Sequence, residues 1–306
     1  MRLATWNVNS IRTRVVRTVE FAVREHIDVL AMQEIKCKPG QFPYAEFEEA
    51  GYHVTAHGLN QWNGVAIASR EPLDEIEFSF PGMPGFAKDH KGPDAPPLEA
   101  RALGARVGGV KVWSLYVPNG RSLDDPHYLY KLEWLAALTE YTRSTLEANP
   151  DEALALVGDF NIAPFDEDNN NPAVREGLTT HVSPPEREAF AAIEAAGLSD
   201  LVRPLVPSGF TYWDYQQLRF PRNEGMRIDF IMGSHALAEA TAGASIHRDE
   251  RKGVQPSDHV PVVVDLDLDG ADDDDRQMIF YRDRVSGGVN QPSKASGPPA
   301  AAAGSM

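Results

Sequence analysis

Residues 154–164 read LALVGDFNIAP, and this stretch constrains the fold more than any other. A short apolar run, Leu154, Ala155, Leu156 and Val157, reads as a buried strand that stops at Gly158. Asp159 and Asn161 follow two residues apart, with Phe160 between them, and an extended backbone points both to one side. A carboxylate beside a carboxamide at the rim of a packed sheet suits the handling of water, a metal ion or a phosphate. Gly-Asp and Asn-x-x-Pro are also ordinary turn chemistry, so this stretch alone leaves both readings open.

The remaining elements are read from their periodicity. Residues 2–8 form a strand that ends at Asn7 and Asn9. Ser10 is placed to cap a helix in which Ile11, Val15, Val19, Ala22 and Val23 recur at helical spacing, with Arg12, Arg14, Arg17 and Arg24 as its solvated face. A second apolar run, 27–32, ends at Gln33 and Glu34. A loop holding Lys36, Lys38 and two prolines leads to the strand Val65–Ser69, and the Pro/Gly-rich residues 81–97 form a further loop. Val110–Tyr116 is the next strand, running out into Val117-Pro118-Asn119-Gly120. Asp125 caps a helix with Pro126 at its first position, lined on one side by Tyr128, Leu132, Leu135 and Leu138. Residues 186–196 form a helix stopped by Gly197, and 226–232 and 260–266 are strands. This order suits two sheets packed face to face with helices outside. No fixed-period repeat is present. From residue 271 the pattern gives way to four consecutive aspartates and then a Gly/Pro/Ala/Ser-rich end, read as a disordered tail with one short apolar cluster (MIFY, 278–281) able to dock.

Composition excludes several classes. No apolar run approaches the roughly 18 residues of a membrane span, and the N-terminal residues lack the apolar region of a secretion signal. A single cysteine, Cys37, rules out an intramolecular disulfide and suits a reducing compartment. Nothing else supports thiol chemistry, and Cys37 is taken as incidental. The formal net charge of −16 argues against binding polyanions by bulk attraction. The tail accounts for little of it, since residues 266–306 hold seven acids against four bases. Any nucleic-acid contact must rest on a local basic face and bound cations.

One device recurs. Apolar strands end in a residue able to handle metal or phosphate: Asn7, Glu34, Tyr116, Asp159 with Asn161, and the Asp258-His259 pair before the last strand, while Asp229 lies within Arg227-Ile228-Asp229-Phe230-Ile231. Strand ends are polar by default, but six such sites point to one convergent centre. No serine or cysteine nucleophile motif, Gly-x-Gly-x-x-Gly, Walker-type loop or Cys/His zinc spacing occurs. Hard oxygen donors favour Mg²⁺ or Mn²⁺, and a histidine near aspartates and a metal suits phosphoester hydrolysis.

The motifs WNVNSIR (6–12), LAMQEIK (30–36), YVPNG (116–120), GDFNIAP (158–164), RIDFIM (227–232) and SDHVPV (257–262) occur in this order over essentially the whole of residues 1–267. The chain thereby resembles the bacterial type of the exonuclease III family of apurinic/apyrimidinic (AP) endonucleases, within the endonuclease/exonuclease/phosphatase superfamily. The resemblance implies an α/β fold, a four-layer αββα sandwich of two mixed sheets, in a catalytic domain over 1–270. It implies one or two Mg²⁺ (or Mn²⁺) ions with Glu34 as main ligand and Asn7, Asp159, Asn161, Asp258 and His259 close by. Asp159 would orient or deprotonate the attacking water, Asn161 would hold that water or a phosphate oxygen, and Asp229 would position His259 against the phosphate. Tyr116 would hydrogen-bond the phosphate, as base or as stabiliser. Asn119 and Arg121 would reach flanking phosphates, and Tyr212, Met226 and Ile228 would line a small apolar pocket for a flipped-out sugar lacking its base. Arg219, Arg222 and Arg227, with Arg121 and Lys36, are candidates for a clamp on the duplex backbone.

The implied activity is incision 5′ to abasic sites, with 3′–5′ exonuclease, 3′-phosphatase and 3′-repair diesterase action on damaged ends of double-stranded DNA. The implied setting is a monomer in the cytoplasm, associated with the nucleoid and with no membrane partner. Two other readings stand beside it: a phosphatase acting on a small phosphoester such as a phosphoinositide, and a non-catalytic scaffold that binds DNA.

Overall fold

The computed structural model describes residues 1–88 and 94–268. The expectations for residues 271–306 lie outside them. In chain order the elements are β1 (Arg2–Asn7), α1 (Ile11–Arg24), β2 (Val29–Gln33), α2 (Tyr44–Glu49), β3 (His53–His57), β4 (Val65–Ser69), β5 (Asp74–Glu77), β6 (Ala102–Val107) and β7 (Val110–Tyr116). They continue with α3 (Pro126–Ala148), β8 (Leu154–Asp159), α4 (Pro184–Ala195), β9 (Leu198–Asp200), β10 (Asp229–Ser234), α5 (His235–Ala240), β11 (Thr241–Ile246) and β12 (Val262–Leu266). Two six-stranded mixed sheets result, in the orders β11-β12-β1-β2-β4-β3 and β5-β6-β7-β8-β10-β9.

Side-chain alternation explains why the central strands are buried and largely apolar on both faces. In β1, Leu3 faces the second sheet while Ala4 and Trp6 face α1; in β8, Ala155 and Val157 face inward while Leu154 and Leu156 meet α3 and α4. Each central strand is covered on both sides, so both parities must be apolar. The inter-sheet core is Val, Ile, Leu and Ala from both sheets. Outside it, α1 and α2 pack Phe21, Ala22 and Phe47 on the first sheet. On the second sheet, α3 and α4 pack Trp134, Leu135, Leu138, Phe190 and Ile193. Four layers, αββα, result as expected. Cys37 is a free, buried core residue. Among the described residues no helix is long and apolar enough to cross a membrane.

Several sequence expectations are corrected. Strand β8 does not stop at Gly158 but runs on to Asp159, and a Cβ at Gly158 would lie 1.9 Å from the Leu115 carbonyl oxygen. That glycine permits close approach of β7; it does not end the strand. The strand expected over 226–232 begins only at Asp229. Ser10 leaves the α1 amides uncapped, its Oγ lying 3.3 Å from the Thr13 hydroxyl. Val23 is 44% exposed, and Phe21 takes the buried position instead. Three arginines assigned to the solvated face of α1 are engaged: Arg14 donates to Pro256 O at 3.1 Å, and Arg17 and Arg24 both pair with Glu250, at 3.1 and 2.6 Å. In α3, Leu132 is only half-buried, whereas Lys131 and Trp134 are fully enclosed.

Candidate active site

Alternation that fills the core also aims the polar strand ends. Asn7 shares the parity of Leu3, Asp159 that of Ala155 and Val157, Tyr116 that of Val110 and Val112, and Asp229 that of Ile231, and all those apolar residues lie between the sheets. Parallel pairing aligns Asn7 with Gln33 and Tyr116 with Asp159, and the antiparallel β8–β10 register sets Asp229 opposite Asp159. The inward-facing ends of both sheets therefore meet at one rim, beyond the carboxyl ends of the parallel strands.

Glu34 has the wrong parity and reaches the site by a backbone reversal. Its φ of 50° lies in the left-handed region, which breaks the alternation at some cost in strain. Its carboxylate then accepts a 2.8 Å hydrogen bond from Asn7 Nδ2, which also donates to Asp159 Oδ2 at 3.0 Å. Fully buried Asn7 thus ties the two sheets together. Asn161 also arrives by a turn (φ 52°), not by the extended alternation expected. Its N–H donates to Asp159 Oδ1 at 2.9 Å, and its Nδ2 to Val117 O at 3.0 Å.

Glu34, Asp159 and His259 offer ligand atoms that all lie within 4.8 Å of one another. His259 Nδ1 sits 2.8 Å from Asp229 Oδ2, and its Nε2 3.7 Å from Asp159 Oδ2. Asp229 is in turn fixed by its N–H on Thr211 Oγ1 at 3.1 Å. Asp258 lies outside the triplet, its carboxylate accepting from Asn9 Nδ2 at 2.9 Å. Asn9 receives the Lys36 ammonium, which also pairs with Glu34 at 2.7 Å.

These contacts set the charges. Burial pushes the Asp159 carboxyl up, and nearby Asp229 and Glu34 add to this against the pull of His259, so the group is held well above the ordinary carboxylate range. Burial opposes charging of His259, but Asp229 and Asp159 outweigh it and hold the ring as an imidazolium at neutral pH. Burial also raises the Tyr116 phenol far above its ordinary value, helped by Glu34 and resisted by Arg101, whose guanidinium lies 4.9 Å over the ring. Tyr116 is therefore a neutral donor. Glu34 stays low because Lys36 and the Asn7 hydrogen bond overcome the cost of burial.

Asn119 Nδ2 lies 3.2 Å from Asn161 Oδ1, and Arg121 is half-exposed with Asp125 3.8 Å away. Tyr212, Met226 and Ile228 gather with Ala163, Val182 and Val174 in one small apolar cluster, and the Tyr212 ring lies 4.9 Å from that of His259. Two members of the expected phosphate clamp are committed elsewhere. Arg227 is 1% exposed and donates to Val206 O at 2.8 Å, with Asp200 at 3.4 Å; Arg219 is buried against Glu224 and Gln217. Arg222 alone of that loop's three is exposed.

Residues the sequence reading did not single out complete the site. Asn9 and Thr211 orient Asp258 and Asp229. His181 places Nε2 3.1 Å from Asn161 Oδ1, and Lys131 and Glu186 lie fully buried behind it. A sequence signal existed for the last group: Ser183-Pro184-Pro185-Glu186 has capping-box spacing, and Glu186 Oε2 does accept the Ser183 N–H at 3.1 Å.

A two-sheet sandwich with acids and an imidazolium gathered at one rim defines a hydrolase of the αββα type. Residues 4–259 match the model of the Endonuclease/Exonuclease/phosphatase family. The exodeoxyribonuclease III of Haemophilus influenzae is 30% identical over 272 residues, spanning 86% of this chain and 98% of that protein. Among solved structures, the 3′ phosphatase NExo from Neisseria bound to product DNA hairpin aligns with TM-score 0.78 and 35% identity over 87% of this chain and 99% of its own. An AP endonuclease from Archaeoglobus fulgidus aligns with TM-score 0.76 and 33% identity, again over 87% and 99%. The chain belongs to the endonuclease/exonuclease/phosphatase family and, within it, to the hydrolases of the exodeoxyribonuclease III and AP endonuclease group.

Proposed function

We propose that this chain is a Mg²⁺-dependent repair phosphodiesterase that incises duplex DNA 5′ to abasic sites and removes 3′-phosphates and other blocking groups from 3′ ends, with 3′–5′ exonuclease action. Residues 1–270 would form its catalytic domain, and its setting would be the cytoplasm, at the nucleoid. The observation that carries the reading is the gathering of Glu34, Asp159 and His259 with their polar atoms within 4.8 Å of one another, backed by Asp229 on the far side of the imidazole.

Two carboxylates and a buried carboxamide suit a hard divalent ion. Glu34 and Asp159 would hold one Mg²⁺ (or Mn²⁺), with Asn7, Asn161 and, through Asn9, Asp258 completing its surroundings; when bound, the ion supplies positive charge at the phosphoryl oxygens. Asp159 orients and deprotonates the attacking water. The imidazolium of His259, held by Asp229, donates to a phosphate oxygen and steadies the charge that develops there, and Tyr116 donates its neutral O–H to the same group. Asn161 and Asn119 fix further oxygens, and Arg121 and Arg222 meet flanking phosphates. The Tyr212–Met226–Ile228 cluster accepts a sugar without its base, whose extrusion costs little because no base is unstacked.

A second reading, 3′-end processing without abasic-site incision, is favoured by His181. Its ring occupies the corner beside Asn119 and Asn161, and the next residue, Val182, belongs to the apolar cluster. An imidazole beside that cluster would narrow the space left for an extruded sugar.

The test is full-length protein with Mg²⁺, and with a chelator, on three substrates: a duplex with a tetrahydrofuran abasic analogue, a duplex with a recessed 3′-phosphate, and an inositol phosphate. Mg²⁺-dependent cleavage of both duplexes is expected. Cleavage of the 3′-phosphate alone selects the second reading. Full activity in chelator, or activity confined to the inositol phosphate, overturns both.

A further inference from the structure

We propose that the buried Lys131–Glu186 ion pair is a positioning device: it locks the three loops that carry Asn119, Asn161 and His181 into one arrangement, so that turnover depends on it more than folding does. The proposal rests on the phosphodiesterase reading for its kinetic consequence and on geometry alone for its structural one.

Both side chains are fully enclosed. The Lys131 ammonium has three protons and three acceptors: the Glu186 carboxylate, Asn161 O at 2.6 Å and Asn119 O at 3.4 Å. Glu186 divides its oxygens in the same way. Oε1 takes Lys131 and the His181 N–H at 2.9 Å; Oε2 takes the Ser183 N–H at 3.1 Å and its hydroxyl at 2.6 Å. The pair therefore holds the backbone of the loop after β7, the loop after β8 and the segment leading into α4. The three side chains presented by those backbones are mutual neighbours at the rim. Asn161 Oδ1 lies 3.2 Å from Asn119 Nδ2 and 3.1 Å from His181 Nε2.

A fully buried ion pair gains little net stability, because desolvation cancels most of the attraction, and an apolar pair of similar volume often folds as well. What an apolar pair cannot reproduce is the grip on four backbone groups, two carbonyls and two amides, from three separate loops. A shift of about 1 Å in groups that contact a reacting phosphate costs on the order of 100-fold in rate.

The full chain carrying Lys131→Met and Glu186→Leu together is compared with wild type and with Glu186→Gln, which keeps an acceptor for Lys131 and His181 while giving up the negative charge and the Ser183 N–H contact. Thermal unfolding, kcat and KM on the 3′-phosphate duplex, and amide hydrogen exchange are measured. The double variant is expected to melt near wild type, to lose about 10- to 100-fold in kcat with KM within about threefold, and to exchange faster over 117–121, 160–163 and 179–183 but not over β7 and β8. Glu186→Gln is expected to melt lower and yet keep most of kcat, so that activity and stability part company in opposite directions. A purely structural pair would make kcat follow the melting temperature across the set, and that result overturns the proposal. Unchanged exchange in the three segments of the double variant also overturns it. A wild-type protein inactive on every DNA substrate sinks the phosphodiesterase reading, and the exchange data still decide whether the pair holds the loops.

Discussion

Asp159 shows how one side chain is made useful by being made uncomfortable. Burial, helped by its neighbours Asp229 and Glu34 and opposed by His259, raises its pKa, so without a cation its charge destabilises the fold at neutral pH. Between the unfolded carboxyl pKa near 4 and the raised folded value, the folded state binds more protons than the unfolded one. Stability from this group is therefore present at low pH and lost as pH rises. Asp159→Asn removes that penalty and is expected to melt at or above wild type in the absence of metal. The same change removes the group proposed to orient and deprotonate water, and kcat is expected to fall about 10²- to 10⁴-fold. Steady-state kinetics with a melting curve checks both; a variant that is both unstable and fully active contradicts the assignment. Wild-type Mg²⁺ affinity should also rise with pH through neutrality, since the ion must displace a proton.

At the scale of elements, the same residues carry packing and chemistry, and single changes separate them. A methyl group at Gly158 would meet the Leu115 carbonyl oxygen at 1.9 Å and push β7 from β8 just where Tyr116 and Asp159 pair. Gly158→Ala is expected to cost roughly 2–4 kcal/mol, measured by urea unfolding, and to lower activity through the disturbed register. At the start of α3, His127 Nδ1 accepts the Gly120 N–H at 3.1 Å, which needs a neutral ring. Burial, with Arg101 and Arg121, lowers its pKa to about 4. Its contribution is fully present above the unfolded histidine value and is lost as pH falls toward 4, on the order of 2–3 kcal/mol over that window. The difference between wild-type and His127→Asn unfolding free energies from pH 7 to 4 isolates this one ring, and a flat difference refutes it.

What was legible in the sequence follows the same division. The central strands could be read because burial on both faces leaves unbroken apolar runs. Strands β3, β5, β6, β9 and β11 were not resolved: β6 lies next to a sheet edge and the others at one, and HVTAH and DEIE are only partly covered. The polar strand ends pointed to one centre because parity and pairing bring them there. Glu34 and Asn161 do reach the same rim, but by a route that alternation does not foresee, as both enter through left-handed backbone. Lys131 was invisible because a lysine on a helix reads as surface until Glu186, 55 residues away, is placed beside it.

Charge is a property of the whole molecule, and here it opposes the proposed substrate. A chain of net charge −16 gains nothing from long-range attraction to a duplex, so contacts with phosphates must be few and local. The structure shortens the roster further. Arg227 is spent on Asp200 and the Val206 carbonyl, Arg219 on Glu224 and Gln217, and Lys36 on Glu34 and Asn9. Arg121, half-exposed, and exposed Arg222 remain free enough to meet phosphate. Each phosphate neutralised contributes close to one to the slope of log affinity against log salt, through release of condensed counterions. Arg121→Ala and Arg222→Ala are each expected to weaken binding to a nicked or abasic duplex at all sequences, and to flatten that slope by about 1. Arg219→Ala and Arg227→Ala are expected to leave the slope unchanged and to lower the melting temperature, because each empties a buried site and breaks its hydrogen bonds, to Glu224 and Gln217 or to Val206 O and Asp200. Fluorescence anisotropy across a salt series with Ca²⁺ in place of Mg²⁺ measures binding without turnover. A slope that falls for the buried pair and not for the exposed pair would mean that this protein opens its 219–227 loop to hold DNA, and the static assignment of its charges would be wrong.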